Sequence, residues 1–111
     1  MSEAAIDVTI FEALRDTAGA DFVPELVAAF LEEAPPMLEE LRSAREAGAA
    51  ERFRRAAHSL KSNSQTFGAT RLGELARELE LTGLGADPAA LDALAAEFAR
   101  AAASLRELCG G

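Results

Sequence analysis

Apolar residues recur in steps of three and four along most of the chain, and wherever the rhythm stops a glycine or a proline stands nearby. That spacing marks one buried stripe on a helix. It predicts a short first helix over residues 8–18, with Phe11 and Leu14 inward and Gly19 ending it, after a loose terminus over residues 1–6. Asp21 is the expected N-cap of a long second helix over residues 22–47, with Pro24 in its first turn. Its inner stripe is Val23, Val27, Phe30, Ala34, Met37, Leu41 and Ala44. Pro35 and Pro36 interrupt the pattern without shifting its phase, so one kinked helix ending at Gly48 is expected.

A third helix follows over residues 51–67, burying Phe53, Ala57, Leu60, Ser64 and Phe67, and Gly68 breaks it. A fourth over residues 70–82 turns Leu72, Leu75, Ala76 and Leu79 inward and stops at the stretch TGLGAD. Asp87 caps the fifth, with Pro88 at its first position and Leu91, Leu94, Phe98, Ala102, Leu105 and Leu108 as its stripe. No stretch alternates with the period of a strand. Four longer helices joined by short turns predict an all-α fold: an antiparallel up-and-down four-helix bundle with a short additional N-terminal helix as a lid.

At 111 residues the chain is read as a single domain over 1–111, with its core between about 8 and 108. Half the residues are hydrophobic while Trp and Tyr are absent, so leucine, alanine and phenylalanine carry the core. The single cysteine, Cys109, permits no internal disulfide, which fits a reducing, cytoplasmic setting. Neither a membrane span nor a secretory signal is visible.

Charge changes the picture only when it is divided along the chain. Five basic residues against one acid give the window 51–71 a net +4, so the rest carries −12 of the total −8. A net-acidic chain is a poor nucleic-acid ligand. The basic window holds the only histidine, His58, and three positions later the only lysine, Lys61. At ~100° per residue, His58, Lys61, Ser62 and Gln65 cluster roughly 130° from the inner stripe, with Arg54 and Arg55 one turn earlier on the same side. The imidazole is therefore expected on the solvent side, among cations that would offset the charge of an anionic group placed on the ring.

A surface histidine among arginines is ordinarily just solvated, and position alone leaves that alternative open. A Ser-His catalytic pair has no buried orienting acid or oxyanion hole to go with it. One histidine and a remote cysteine do not make a metal site.

The stretch AAHSLKSNSQTFGATRLGELARELE resembles the signature of histidine-containing phosphotransfer domains, the HPt modules of two-component phosphorelays. In that family an alanine-flanked His precedes Leu-Lys, a small residue and Ser, then a Gly-Ala pair and Leu-x-x-Leu leading to Leu-Glu. The upstream VPELVAAFLEEAPPMLEELRSAREAG is similar to the family's second helix, and the likeness runs from about residue 20 to 108. The resemblance implies that His58 accepts a phosphoryl group on Nε2, that Lys61 contacts the phosphoryl oxygens, and that Glu80 orients the ring through Nδ1–H. Position 62, commonly glycine in the family, is Ser62 here, and Gly68 and Ala69 match the turn that lets the third and fourth helices pack. Arg54, Arg55, Ser62, Gln65 and Gly68 are the candidate docking or access residues, with Phe22 and Leu31 as candidate apolar contacts.

The implied role is that of a phosphoryl carrier rather than an enzyme: a relay between a histidine kinase, or its hybrid form, and response-regulator receiver domains. The chain itself would bind no cofactor, Mg²⁺ being supplied by the receiver, and would act as a monomer. Two other readings stay open, a phosphoacceptor module cut from a larger kinase and a helical adaptor in which His58 is incidental. The start at Met1 favours a free-standing protein over the former. No nucleotide-binding Gly-rich motif is present, so the chain is no kinase by itself.

Overall fold

The computed structural model describes residues 4–110. It is helical throughout: α1 (Val8–Ala18), α2 (Val23–Ala47), α3 (Ala50–Thr66), α4 (Thr70–Thr82), a single 3-10 turn at Gly83–Gly85, and α5 (Pro88–Gly110). No strand occurs among the described residues. α3 packs against both α2 and α4, and α5 closes on α2 and α4, so the four longer helices contact one another in a cycle. α1 lies across α2 and α3.

The inner stripes of α2 and α3 match the periodicity, whereas on α5 the expected Phe98 and Leu108 are half-buried and Glu97 and Ala101 are buried. On α2, Val23, Val27, Phe30, Ala34, Leu41 and Ala44 are buried and Met37 is half-buried; on α3, Phe53, Ala57, Leu60, Ser64 and the following Phe67 are buried. Each large side chain withdrawn from water contributes roughly 1.5–3 kcal/mol, which is what holds helices of such mixed composition together. Phe30 joins three elements. Its ring stacks on Phe67 at 4.9 Å between centroids and meets the edge of Phe98 on α5 at 6.0 Å.

α2 is a single helix through Pro35 and Pro36, as the unshifted phase of its stripe predicts. Both prolines are exposed, and the carbonyls they leave without a helical donor, those of Leu31 and Glu32, lie on half-buried and exposed residues that water can reach. Asp21 does not cap α2: the N-cap is Phe22, in αR geometry and without a side-chain cap bond. The turn from Gly19 runs straight into the helix, with the Phe22 and Val23 N–H groups donating to the Gly19 carbonyl at 3.0 and 3.1 Å. The extended backbone that a capping carboxylate requires is therefore missing.

At the start of the chain, residues 1–3 of the expected loose terminus lie outside the described residues, whereas Ala5 and Ile6 are buried. They are anchored by the Asp7 N–H, which donates to the Gly68 carbonyl at 2.7 Å, while Asp7 Oδ1 caps α1 by accepting from Thr9 and Ile10. Gly68 itself is buried, with φ +80°, and a Cβ there would stand 2.7 Å from the Asp7 carbonyl oxygen. It is a packing position between the α3–α4 turn and the lead-in to α1. It is not a docking surface.

Candidate functional site

α3 is amphipathic, and its buried face fixes where the opposite face points. Leu60 and Ala57 are fully buried, which leaves the side chain of His58 56% exposed. Below it, α3 and α4 approach closely at Gly73: a Cβ at that position would sit 3.4 Å from Gln65 Cγ, 3.6 Å from Ser64 Cβ and 3.7 Å from the Lys61 carbonyl oxygen. Ser64 suits the tight seam because its hydroxyl is spent on its own helix, donating to the Leu60 carbonyl at 2.6 Å. Small residues on both sides thus bring α4 near enough for a side chain from its last turn to cross over.

That side chain is Glu80. Its Oε2 lies 2.9 Å from His58 Nδ1, and its Oε1 2.9 Å from Lys61 Nζ. The carboxylate is only 16% exposed and the lysine 22%. The hydrogen bond donated by Lys61 holds Glu80 below the usual carboxylate range; partial burial opposes this, and the bond to His58 adds to the lowering. An anionic Glu80 can only accept, so Nδ1 carries the proton of a neutral ring and Nε2 presents a lone pair to solvent.

The surrounding cations are not equivalent. Arg54 is engaged by Glu51 on its own helix, at 2.9 and 3.2 Å, and Arg52 by Glu40 of α2, at 2.9 and 2.8 Å. Lys61, which the resemblance assigns to the phosphoryl oxygens, is tied to Glu80. Arg55 lines a groove between α2 and α3 with Pro36, Met37, Glu40, Arg52, Ala56 and Ser59. Ser62 and Gln65 are exposed on the helix surface, Gln65 lying over Gly73.

Phe22 and Leu31 do not belong to this neighbourhood. Phe22 is 49% exposed, but it stands at the start of α2, two turns beyond Phe30, whose ring is level with Phe67 at the far end of α3. By helical rise that places it about 25 Å from His58. Leu31 follows Phe30 and is half-buried against the core. The apolar residues that α2 brings to the groove beside the histidine's helix are Pro36 and Met37, which periodicity assigned to a kink and to the core.

Among the described residues, no group of three or more His, Cys, Asp or Glu side chains is placed to hold a metal ion, and no helix is long and apolar enough to cross a membrane.

Comparison with known proteins agrees with this arrangement. Residues 25–104 match the family model of the Hpt domain. Among solved structures, the chain is similar to the crystal structure of histidine-containing phosphotransfer protein B from Pseudomonas aeruginosa PAO1, with a TM-score of 0.89 and 27% identity over 97% of this chain and 96% of that one. No curated protein matches the chain in sequence.

Proposed function

Because the chain belongs to the Hpt domain family, we propose that it is a histidine phosphotransfer protein of a two-component phosphorelay, carrying a phosphoryl group on His58 Nε2 between receiver domains or from a histidine kinase. One observation carries this reading: an exposed imidazole whose Nδ1 is held by Glu80, leaving Nε2 open. The cyclic contacts of α2 to α5 support the arrangement as an antiparallel up-and-down four-helix bundle, a rigid mount for a nucleophile.

The step is an in-line displacement. The Nε2 lone pair attacks the phosphorus of an aspartyl phosphate, the N–P bond forms, and the P–O bond to the aspartate breaks with its electron pair leaving on the carboxylate. The ring keeps its Nδ1 proton and becomes formally cationic, and the Glu80 carboxylate stabilises that charge. Transfer to the next receiver is the reverse, with a second aspartate as the nucleophile. Lys61 sits one turn beyond His58, on the side of α3 that meets α4, where its ammonium can share its interaction between Glu80 and the phosphoryl oxygens. The receiver supplies the aspartate and, as the resemblance implies, Mg²⁺ to neutralise the transferring group. The chain acts as a carrier, and a cytoplasmic monomer suffices for that role.

The test is phosphate transfer from a panel of phosphorylated receivers. The parent protein is expected to take up acid-labile, alkali-stable label. His58→Gln is expected to take up none while keeping the parental melting curve, because the side chain is exposed. Label on the variant equal to that on the parent, or label that survives acid, rules out His58 as the acceptor.

A further inference from the structure

Four cations precede or follow His58 on α3, and three are already paired. Arg52 is held by Glu40, Arg54 by Glu51, and Lys61 by Glu80. Arg55 has no hydrogen bond or ion pair among the described residues; only a weak Coulomb influence links it to Glu51, whose hydrogen bonds go to Arg54. It stands one helical turn before His58, on the α2 side, where Lys61 stands one turn after it on the α4 side.

Its setting is specific. Arg55 borders a groove of about 320 Å³ between α2 and α3, lined by the apolar Pro36, Met37 and Ala56, by Ser59, and by the Glu40–Arg52 pair. The pair neutralises both of its members, so Arg55 supplies the groove's uncompensated charge. In a chain of net charge −8, an unpaired guanidinium at the mouth of an apolar groove beside the acceptor is complementary to a carboxylate adjoining an apolar side chain.

We infer that Arg55 is a specificity-determining residue for the partner: it reads an acidic side chain on the docking receiver domain while the apolar neighbour of that acid enters the Pro36–Met37–Ala56 groove. This rests on the relay reading above and adds to it the residue that selects among receivers. Arg55 acts on association and takes no part in the chemistry on the ring.

The experiment compares the parent, Arg55→Ala, Arg55→Glu and Arg55→Lys in two assays. The first is transfer from purified phosphorylated receiver domains at varied concentration and salt. The second is labelling by phosphoramidate, a donor too small to dock. For a receiver that labels the parent, Arg55→Ala is expected to raise the half-saturating concentration roughly tenfold and Arg55→Glu further, with the maximal rate preserved and the salt dependence flattened. Arg55→Lys is expected to recover part of the loss, and phosphoramidate labelling to be equal in the parent, Arg55→Ala and Arg55→Lys.

Unchanged half-saturation and salt dependence in Arg55→Ala and Arg55→Glu would overturn the inference while leaving the relay intact. Slower phosphoramidate labelling in Arg55→Ala would also overturn it, by placing Arg55 on the phosphoryl group. If no receiver labels the parent, the relay reading falls first and takes this one with it.

Discussion

His58 and Glu80 lie 22 positions apart in sequence, yet Nδ1 of one stands 2.9 Å from Oε2 of the other, while the second oxygen of the same carboxylate holds Lys61 at an equal distance. One acid thus serves both conspicuous residues of α3. It is placed to fix the ring's tautomer and it engages the ammonium, and Nε2 is left without a hydrogen-bond partner among the described residues.

The tautomer can be observed directly. In the neutral imidazole of the parent, nitrogen shifts are expected to report the proton on Nδ1 and a bare Nε2. Glu80→Ala is expected to shift the ring toward the Nε2–H form and to slow transfer from a phosphorylated receiver roughly tenfold, the scale of one charge-assisted hydrogen bond. Parental nitrogen shifts in Glu80→Ala would show that the contact does not set the proton's position.

The pH dependence of the contact follows from the same carboxylate. Glu80 is held below its ordinary value of 4.5, chiefly by Lys61, so it contributes stability above that value and loses it as the pH falls through its lowered folded value. Carbon-detected titration is expected to give Glu80 a midpoint below 4.5 in the parent. In Lys61→Ala the midpoint should rise, since the largest lowering cause is gone and burial remains. An unmoved midpoint would mean that Lys61 does not engage Glu80 in solution.

Two glycines that bring α3 and α4 together differ in what they tolerate. At Gly68 an alanine meets both a left-handed backbone and the Asp7 carbonyl, so Gly68→Ala is expected to cost about 2–4 kcal/mol in urea denaturation. At Gly73 a Cβ finds contacts of 3.4 Å and longer within a regular helix, so Gly73→Ala should lie within about 1 kcal/mol of the parent. Equal effects at the two positions would contradict the close approach of the Asp7 segment to Gly68.

Much of the site was legible along one helix. The phase of Phe53, Ala57, Leu60 and Ser64 turns His58 outward, and the structure agrees. Glu97 shows where the same reasoning stops. It is buried on α5, with Oε1 accepting from Arg100 at 2.7 Å and Oε2 without a hydrogen-bond partner among the described residues. Its spacing of three from Leu94 and four from Ala101 places it on the inner face, but a carboxylate argues for solvent and the apolar pattern runs through Phe98 instead. Phe22 fails in the opposite way: an exposed aromatic suggests docking, yet nothing in the sequence says at which end of the molecule it stands.

The amino-acid sequence by itself determined the helices, the buried stripes of α2 and α3, the stops at Gly19, Gly48 and Gly68, and the solvent-facing side of α3, because each depends only on neighbours within about one turn. Tertiary structure decided the rest: that Glu80 reaches both His58 and Lys61, that Gly68 packs on Asp7, that Pro36 and Met37 border the groove at Arg55, and that Arg55 is left without an ion-pair partner among the described residues. These relations depend on how two helices are rotated and shifted against each other. Packing of side chains across the seam fixes that rotation, and a repeat along one chain does not carry it.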